Sequence, residues 1–478
     1  MAAMKGGGSN LRRAIPAGQE LRLVAAMAAL LVAGTVQELL LLVHRPALGI
    51  LLVLPAVALA AALWRPSREA AVAAGIAFGL ELLLPLMTGG GMVVDWVRHY
   101  EISLHYAGLP SAILHSYLAS RTVLSEQILG AVLNHVPQYW AFQLGSVALN
   151  SLWLWPASLL LQAAAPARVD GRLLAVAAAP FVLYYSIYTW PWAFALFFLL
   201  AATWLAGREG RPAGVGIGLG AAGALLVHPA MLGYVLGLSG WVILRRRQVL
   251  LPALATGSIA LVAQLPWVYD ITSGAGPLAL ITHSDPGQAH VPPLVYLLTR
   301  PLLVLHTIIP FPPLVRGLEV PDFAFSLLVH SLPGALAGLL LLTRAQRRLR
   351  GPEPAIIASG AAVSLLIYPS ESMFVGIIDA LYPAVVIAAI GITSRLPQRP
   401  LRRVLIVNLA LGALGAALML WIAVGSHAPE RNVALRQLYA ARFLVEVLTP
   451  LAGLAVLAAT AWVAAPLVRP AAREAPRI

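Results

Sequence analysis

The chain has 478 residues, 60% hydrophobic and 11% charged, with a formal net charge of +13 and a mean hydropathy of +0.84. Soluble domains carry about 45–50% apolar and about 25% charged residues. The composition therefore excludes a soluble enzyme, a disordered chain and a fibrous protein, and leaves a membrane-embedded one. With 0 cysteines, disulfides, zinc-thiolate sites and thiol catalysis are excluded as well.

Apolar runs of about 17–25 residues cross the hydrocarbon layer as helices. In chain order such runs fall at 21–43, 47–63, 70–87, 138–162, 173–188, 191–206, 212–227, 229–244, 249–268, 323–343, 354–369, 375–392, 404–425 and 441–468. About 13–14 spans are expected. His228-Pro229 and Thr189-Trp190-Pro191 mark kinks or turns between them, because proline cannot donate the helical hydrogen bond. No barrel-type alternation occurs, and every spanning backbone group must be bonded internally. The predicted fold is thus an all-α polytopic membrane protein. Residues 1–20 and 469–478 read as cytoplasmic tails, and 21–468 as a single transmembrane helical domain.

Arginine placement sets the expected orientation. With the N-terminus inside, about 24 of the 32 basic residues fall in short cytoplasmic segments, which accounts for the charge. Nothing in the pattern points to nucleic acid. The first apolar run lacks a small-residue cleavage site and reads as an uncleaved anchor. Two long outer connections result, at about 88–137 and 269–322.

The first outer connection opens with GGGMVVDWVRHYEISLHYAG. If Asp95 to His105 is helical, Asp95 and His99 share one face at i,i+4, and Arg98, Glu101 and His105 share another. Trp96, Tyr100 and Tyr106 suit a helix lying at the membrane interface. Such a helix is either a solvated surface element or the carrier of a catalytic carboxylate, Asp95, tuned as a base at a low-dielectric boundary. Glu38 and Glu81 fall inside spans, where a charge is costly; structural pairing is the expected role. Arg121, Arg300 and Arg316 run against the positive-inside trend and are candidates for phosphate contact or ordinary headgroup contact. His290 and His306 flank Arg300 in an apolar, proline-broken stretch that either spans or lies at the interface. Asp95 and His99 could alternatively bind a divalent cation.

The segments DWVRHYE, SRTVLSEQILGAVLNHVPQYWAFQLGSVALNSLWLWP, SIYTWPWAFALFFLLAATWLA and LLVHPAMLGYVLG, within 88–240, resemble the GT-C superfamily of polytopic glycosyltransferases. The resemblance implies sugar transfer from a polyprenyl-phosphate donor to a glycan, lipid or protein acceptor at the outer face of a bacterial cell membrane. It implies Asp95 as the catalytic base for an inverting attack. Arg121 falls where the family often carries a basic residue. Arg98, His99, Glu101, His105, Arg121, His228 and Arg300 are then the donor- or acceptor-binding candidates. The chain departs from the family pattern in two extra spans before the loop and in Trp96 standing where a second carboxylate would make an acidic pair. A large outer C-terminal domain, present in some members, is not expected. A lipid or sugar transporter or flippase, and a polysaccharide polymerase or ligase, are the competing readings. A transporter would collect its polar residues near the midplane, with Gln37, Glu38 and Glu81 contributing.

Overall fold

A computed structural model describes residues 18–87, 93–111, 124–164, 171–179, 182–183, 186, 191–271, 351–367, 375–425 and 449–468. Among them every regular element is a helix. In chain order these are α1 (Gln19–Leu42), α2 (Ile50–Leu63), α3 (Arg68–Met87), α4 (Val93–Tyr106), α5 (Leu124–Leu133), α6 (Tyr139–Ser151), α7 (Leu154–Ala164), α8 (Arg172–Ala177) and α9 (Trp192–Ala206). There follow α10 (Arg211–Val227), α11 (Leu232–Arg245), α12 (Leu250–Val262), α13 (Leu265–Ile271), α14 (Glu353–Ile367), α15 (Val375–Thr393), α16 (Gln398–Gly425) and α17 (Thr449–Val468). Short 3-10 turns lead into α2, α11 and α12.

Among the described residues three helical stretches are long and apolar enough to cross a membrane: Gln19–Leu42, Pro46–Leu63 and Tyr139–Ala164. Two expected runs contain a turn. The run at 138–162 divides into α6 and α7 at Leu152-Trp153, and the run at 249–268 divides into α12 and α13 at Ala263-Gln264. The expected run at 323–343 lies outside the described residues, as do 441–448 of the last run.

The core is built around α9. All its residues, Trp192–Ala206, are buried, as suits a helix that is apolar all round. It packs along α10, which in turn packs along α12 and α1. Close approach depends on glycine: a Cβ at Gly220 of α10 would stand 2.7 Å from both Ala202 Cβ and the Phe198 carbonyl oxygen of α9. Small residues at such crossings let backbones meet, the common solution where both helices are surrounded by apolar groups.

The periphery is apolar too. Leu51 and Leu54 of α2, Leu251 and Ile259 of α12, and Trp462 of α17 are exposed, the last at 84%. Apolar faces of this extent are what a lipid-facing surface needs and a water-facing one avoids. The helices are therefore suited to association with a membrane.

Neighbouring helices cap one another. Glu69 of α3 accepts hydrogen bonds from the backbone N–H groups of Gly171 (2.6 Å), Leu173 (2.8 Å) and Leu174 (3.3 Å) at the start of α8. Asn150 of α6 accepts from Phe194 N–H at 3.1 Å in the first turn of α9. Helix ends leave backbone groups unpaired. Inside a bundle, side chains from the next helix must satisfy them.

Candidate functional site

The site is built on α4 and α5. The chain leaves α4 through Gly108, whose φ of +67° lies in the left-handed region glycine tolerates. Gln37 of α1 donates to the Tyr106 carbonyl at 2.8 Å, and Asn134 donates to the Ala107 carbonyl at 2.6 Å. The C-terminal carbonyls of α4 are thus satisfied by its neighbours. A Cβ at Gly130 of α5 would fall 2.7 Å from Tyr106 Cβ, so glycine is what lets α5 lie this close beneath α4.

Tyr100 fixes the flank of α4. Its hydroxyl donates to the Pro137 carbonyl at 2.6 Å. Its ring meets those of Tyr139 and Phe142 of α6 edge-on, with centroids 5.2 and 5.7 Å away. Burial, helped by the nearby Glu101 charge, pushes the Tyr100 phenol above its ordinary range.

The faces divide as the helical spacing of the sequence implies. His99, Tyr100, Ile102, Ser103 and Tyr106 are buried, whereas Glu101 and His105 are half-buried. Position 95 lies one turn before His99 on the same face, and the backbone of Asp95 and Arg98 is helical.

His99 is the best-defined candidate. Its Nδ1–H donates to Glu126 Oε1 at 2.5 Å, with both side chains buried. The other carboxylate oxygen, Oε2, accepts from the Ser125 hydroxyl. Glu126 stands in the first turn of α5, where the helix dipole favours a negative charge. With Nδ1 protonated toward Glu126, a neutral His99 carries its lone pair on Nε2. Among the described residues Nε2 makes no hydrogen bond.

Glu126 and Ser125 were not among the candidates of the sequence. The acidic residue closing SRTVLSE was the available signal, but the partner 27 residues away in the chain is visible only in the fold.

The other candidates make separate contacts. Glu101 offers its backbone carbonyl to the Ser111 hydroxyl at 2.8 Å. The His105 ring lies edge-on to Tyr106 at 5.1 Å. His228 sits at the junction of α10 and α11, buried, with its ring stacked on Trp192 at 3.9 Å and its Nδ1 accepting from Ala230 N–H at 3.3 Å. Those contacts end one helix and start the next. Arg121 and Arg300 lie outside the described residues, as do Arg316, His290 and His306.

Of the two residues expected to hold a divalent cation, His99 offers Nε2 alone. Among the described residues no group of three or more histidine, aspartate or glutamate side chains is placed to hold a metal ion.

A second polar cluster runs through the interior. Thr35 of α1 accepts from Gln264 Nε2 at 2.8 Å. Gln127 Nε2 of α5 donates both to Gln264 Oε1 at 3.3 Å and to Glu38 Oε2 at 2.9 Å. Gln127, Gln264 and Glu38 are all buried.

No family model, curated protein or solved structure matches the chain.

Proposed function

We propose that the chain is a membrane glycosyltransferase of the GT-C kind, moving a sugar from a polyprenyl-phosphate donor to an acceptor at the extracytoplasmic face. Such a donor keeps its tail among lipids and its headgroup at the surface. An enzyme for it needs apolar helices beside a polar site built on a surface helix. The observation carrying the reading is α4: an amphipathic helix bearing Asp95 and, one turn on, a buried histidine locked to a carboxylate.

In this reading Asp95 takes the proton of the acceptor hydroxyl, which attacks the anomeric carbon from the face opposite the phosphate. The polyprenyl phosphate departs with the bonding electrons, and Arg121 and Arg300 hold its charge. Arg98, Glu101, His105 and His228 bind donor or acceptor. A divalent cation is an optional aid to the phosphate, and surrounding lipids are the other partners. A bacterial cell membrane, with both termini cytoplasmic, is the setting.

The test replaces Asp95 with Asn and follows transfer of labelled sugar from a polyprenyl-phosphate donor in membranes. A fall of about 100-fold or more is expected. Full activity removes Asp95 from the mechanism and the reading with it.

Transport is the second reading, favoured by the burial of Glu38 within the apolar α1. Because the chain contains 0 cysteines, single cysteines along α1 can be probed with an impermeant reagent. Access from alternating sides would favour transport.

A further inference from the structure

We propose that His99 is a proton relay of this site, with Nε2 as its working atom and Glu126 as the positioning carboxylate. The proposal rests on the glycosyl-transfer reading and adds to it the fate of the proton. A bond forms between the acceptor oxygen and the anomeric carbon. The bond from that carbon to the donor's phosphate oxygen breaks, and its electrons leave with the phosphate. The hydroxyl proton passes to Asp95 and from there to Nε2 of His99. This transfer returns Asp95 to its basic form.

Three features of the geometry support this. The short Nδ1–Glu126 hydrogen bond, 2.5 Å between buried groups, fixes the tautomer whose lone pair is on Nε2. Glu126 faces the ring with one oxygen while the other accepts from the Ser125 hydroxyl, and it stands in the first turn of α5, where the helix dipole favours a negative charge. Positions 95 and 99 lie one turn apart on the same face of the α4 backbone.

The discriminating variant is His99→Asn. Asparagine can keep an N–H near the place of Nδ1, and so the bond to Glu126, but has nothing at Nε2. We expect kcat for sugar transfer to fall about 100-fold or more, with the donor KM unchanged. Glu126→Gln keeps the site's shape without its charge and should lose about tenfold in kcat.

Full transfer by His99→Asn overturns the relay and leaves the glycosyltransferase reading intact. Absence of transfer by the wild-type protein overturns both. A readout free of activity is the 15N spectrum of histidine-labelled protein, the His99 signal being assigned by its loss in His99→Asn and its shift in Glu126→Gln. The neutral ring is expected as the Nδ1–H tautomer, and an Nε2–H tautomer overturns the relay by itself.

Discussion

Glu126 and Gln127 are neighbours on α5, yet they serve polar clusters of different kinds. Consecutive helical positions point about 100° apart, so one reaches α4 and the other α1 and the turn before α13. In the interior cluster Gln127 spends both side-chain N–H groups, and the Gln264 amide carries the chain on to Thr35. It joins α1, α5 and the turn between α12 and α13 with hydrogen bonds and offers no imidazole. In the α4 cluster a titratable ring is held by one nitrogen with the other left to act. The contrast separates polar groups that only fix helices from the pair proposed to carry chemistry, although both are buried and both are made by α5.

Gln127→Met breaks the interior cluster alone. Two buried acceptors, Glu38 Oε2 and Gln264 Oε1, lose a donor. At roughly 1–3 kcal/mol for each unsatisfied group, the unfolding free energy should fall by about 3 kcal/mol. Reversible unfolding in mild detergent measures it, with sugar transfer per folded molecule unchanged. A variant that keeps its stability but loses its activity would invert the division drawn between the clusters. Gly130→Ala joins the two effects. The added methyl would press on Tyr106 at the foot of α4, and overpacking of this kind costs about 2 kcal/mol. Here stability and activity should fall together, because α4 must move.

The sequence made the helices legible and left their partners hidden. Pro212 at the start of α10 and the His228-Pro229 break after it bound that helix at 211–227, within a residue of its expected limits. Such signals are local. The break at Leu152-Trp153 falls one turn before Pro156, which cannot donate to the Leu152 carbonyl, but the long apolar run around it has no polar face from which to read a direction of packing. The same uniformity conceals that α9 is central while α2 is peripheral: both are apolar all round, and only the neighbours decide which is buried. At the site, the helical spacing of α4 separated His99 from Glu101 and His105 correctly. The Glu126 contact, like the bond between Gln127 and Gln264 across 137 positions, arises from tertiary packing that no spacing encodes.

Glu69 gives the comparison a control far from α4. Its carboxylate also reaches across helices, where three backbone N–H groups converge on it as a cap. Glu69→Ala should cost about 1–2 kcal/mol, the range for a lost helix cap, and Glu69→Gln should recover part of it through the amide oxygen. Thermal unfolding in detergent checks both, with kcat per folded molecule unchanged. A loss of catalysis as deep as that of His99→Asn would mean that any buried polar contact sustains activity, and the α4 pair would no longer stand apart.

The smallest effect tests the flank of α4. Tyr100→Phe retains the edge contacts with Tyr139 and Phe142 but removes the hydroxyl that donates to the Pro137 carbonyl. The cost near pH 7 should be about 1 kcal/mol. The pH dependence follows from the raised phenol, which burial and Glu101 hold in its neutral form. In the unfolded chain the phenol ionises around its ordinary value of 10.0, before it does in the folded protein. The fold therefore binds the extra proton. Its stabilisation is complete below that value and is lost as pH rises through the higher folded one. Phenylalanine has no proton to lose, so the advantage of wild type over Tyr100→Phe should shrink from pH 9 upward. A gap that stays constant to the alkaline limit of the measurement would mean that the phenol titrates alike in both states. Tyr100 would then contribute packing alone, and the setting of α4 would rest on its contacts with α1 and α5.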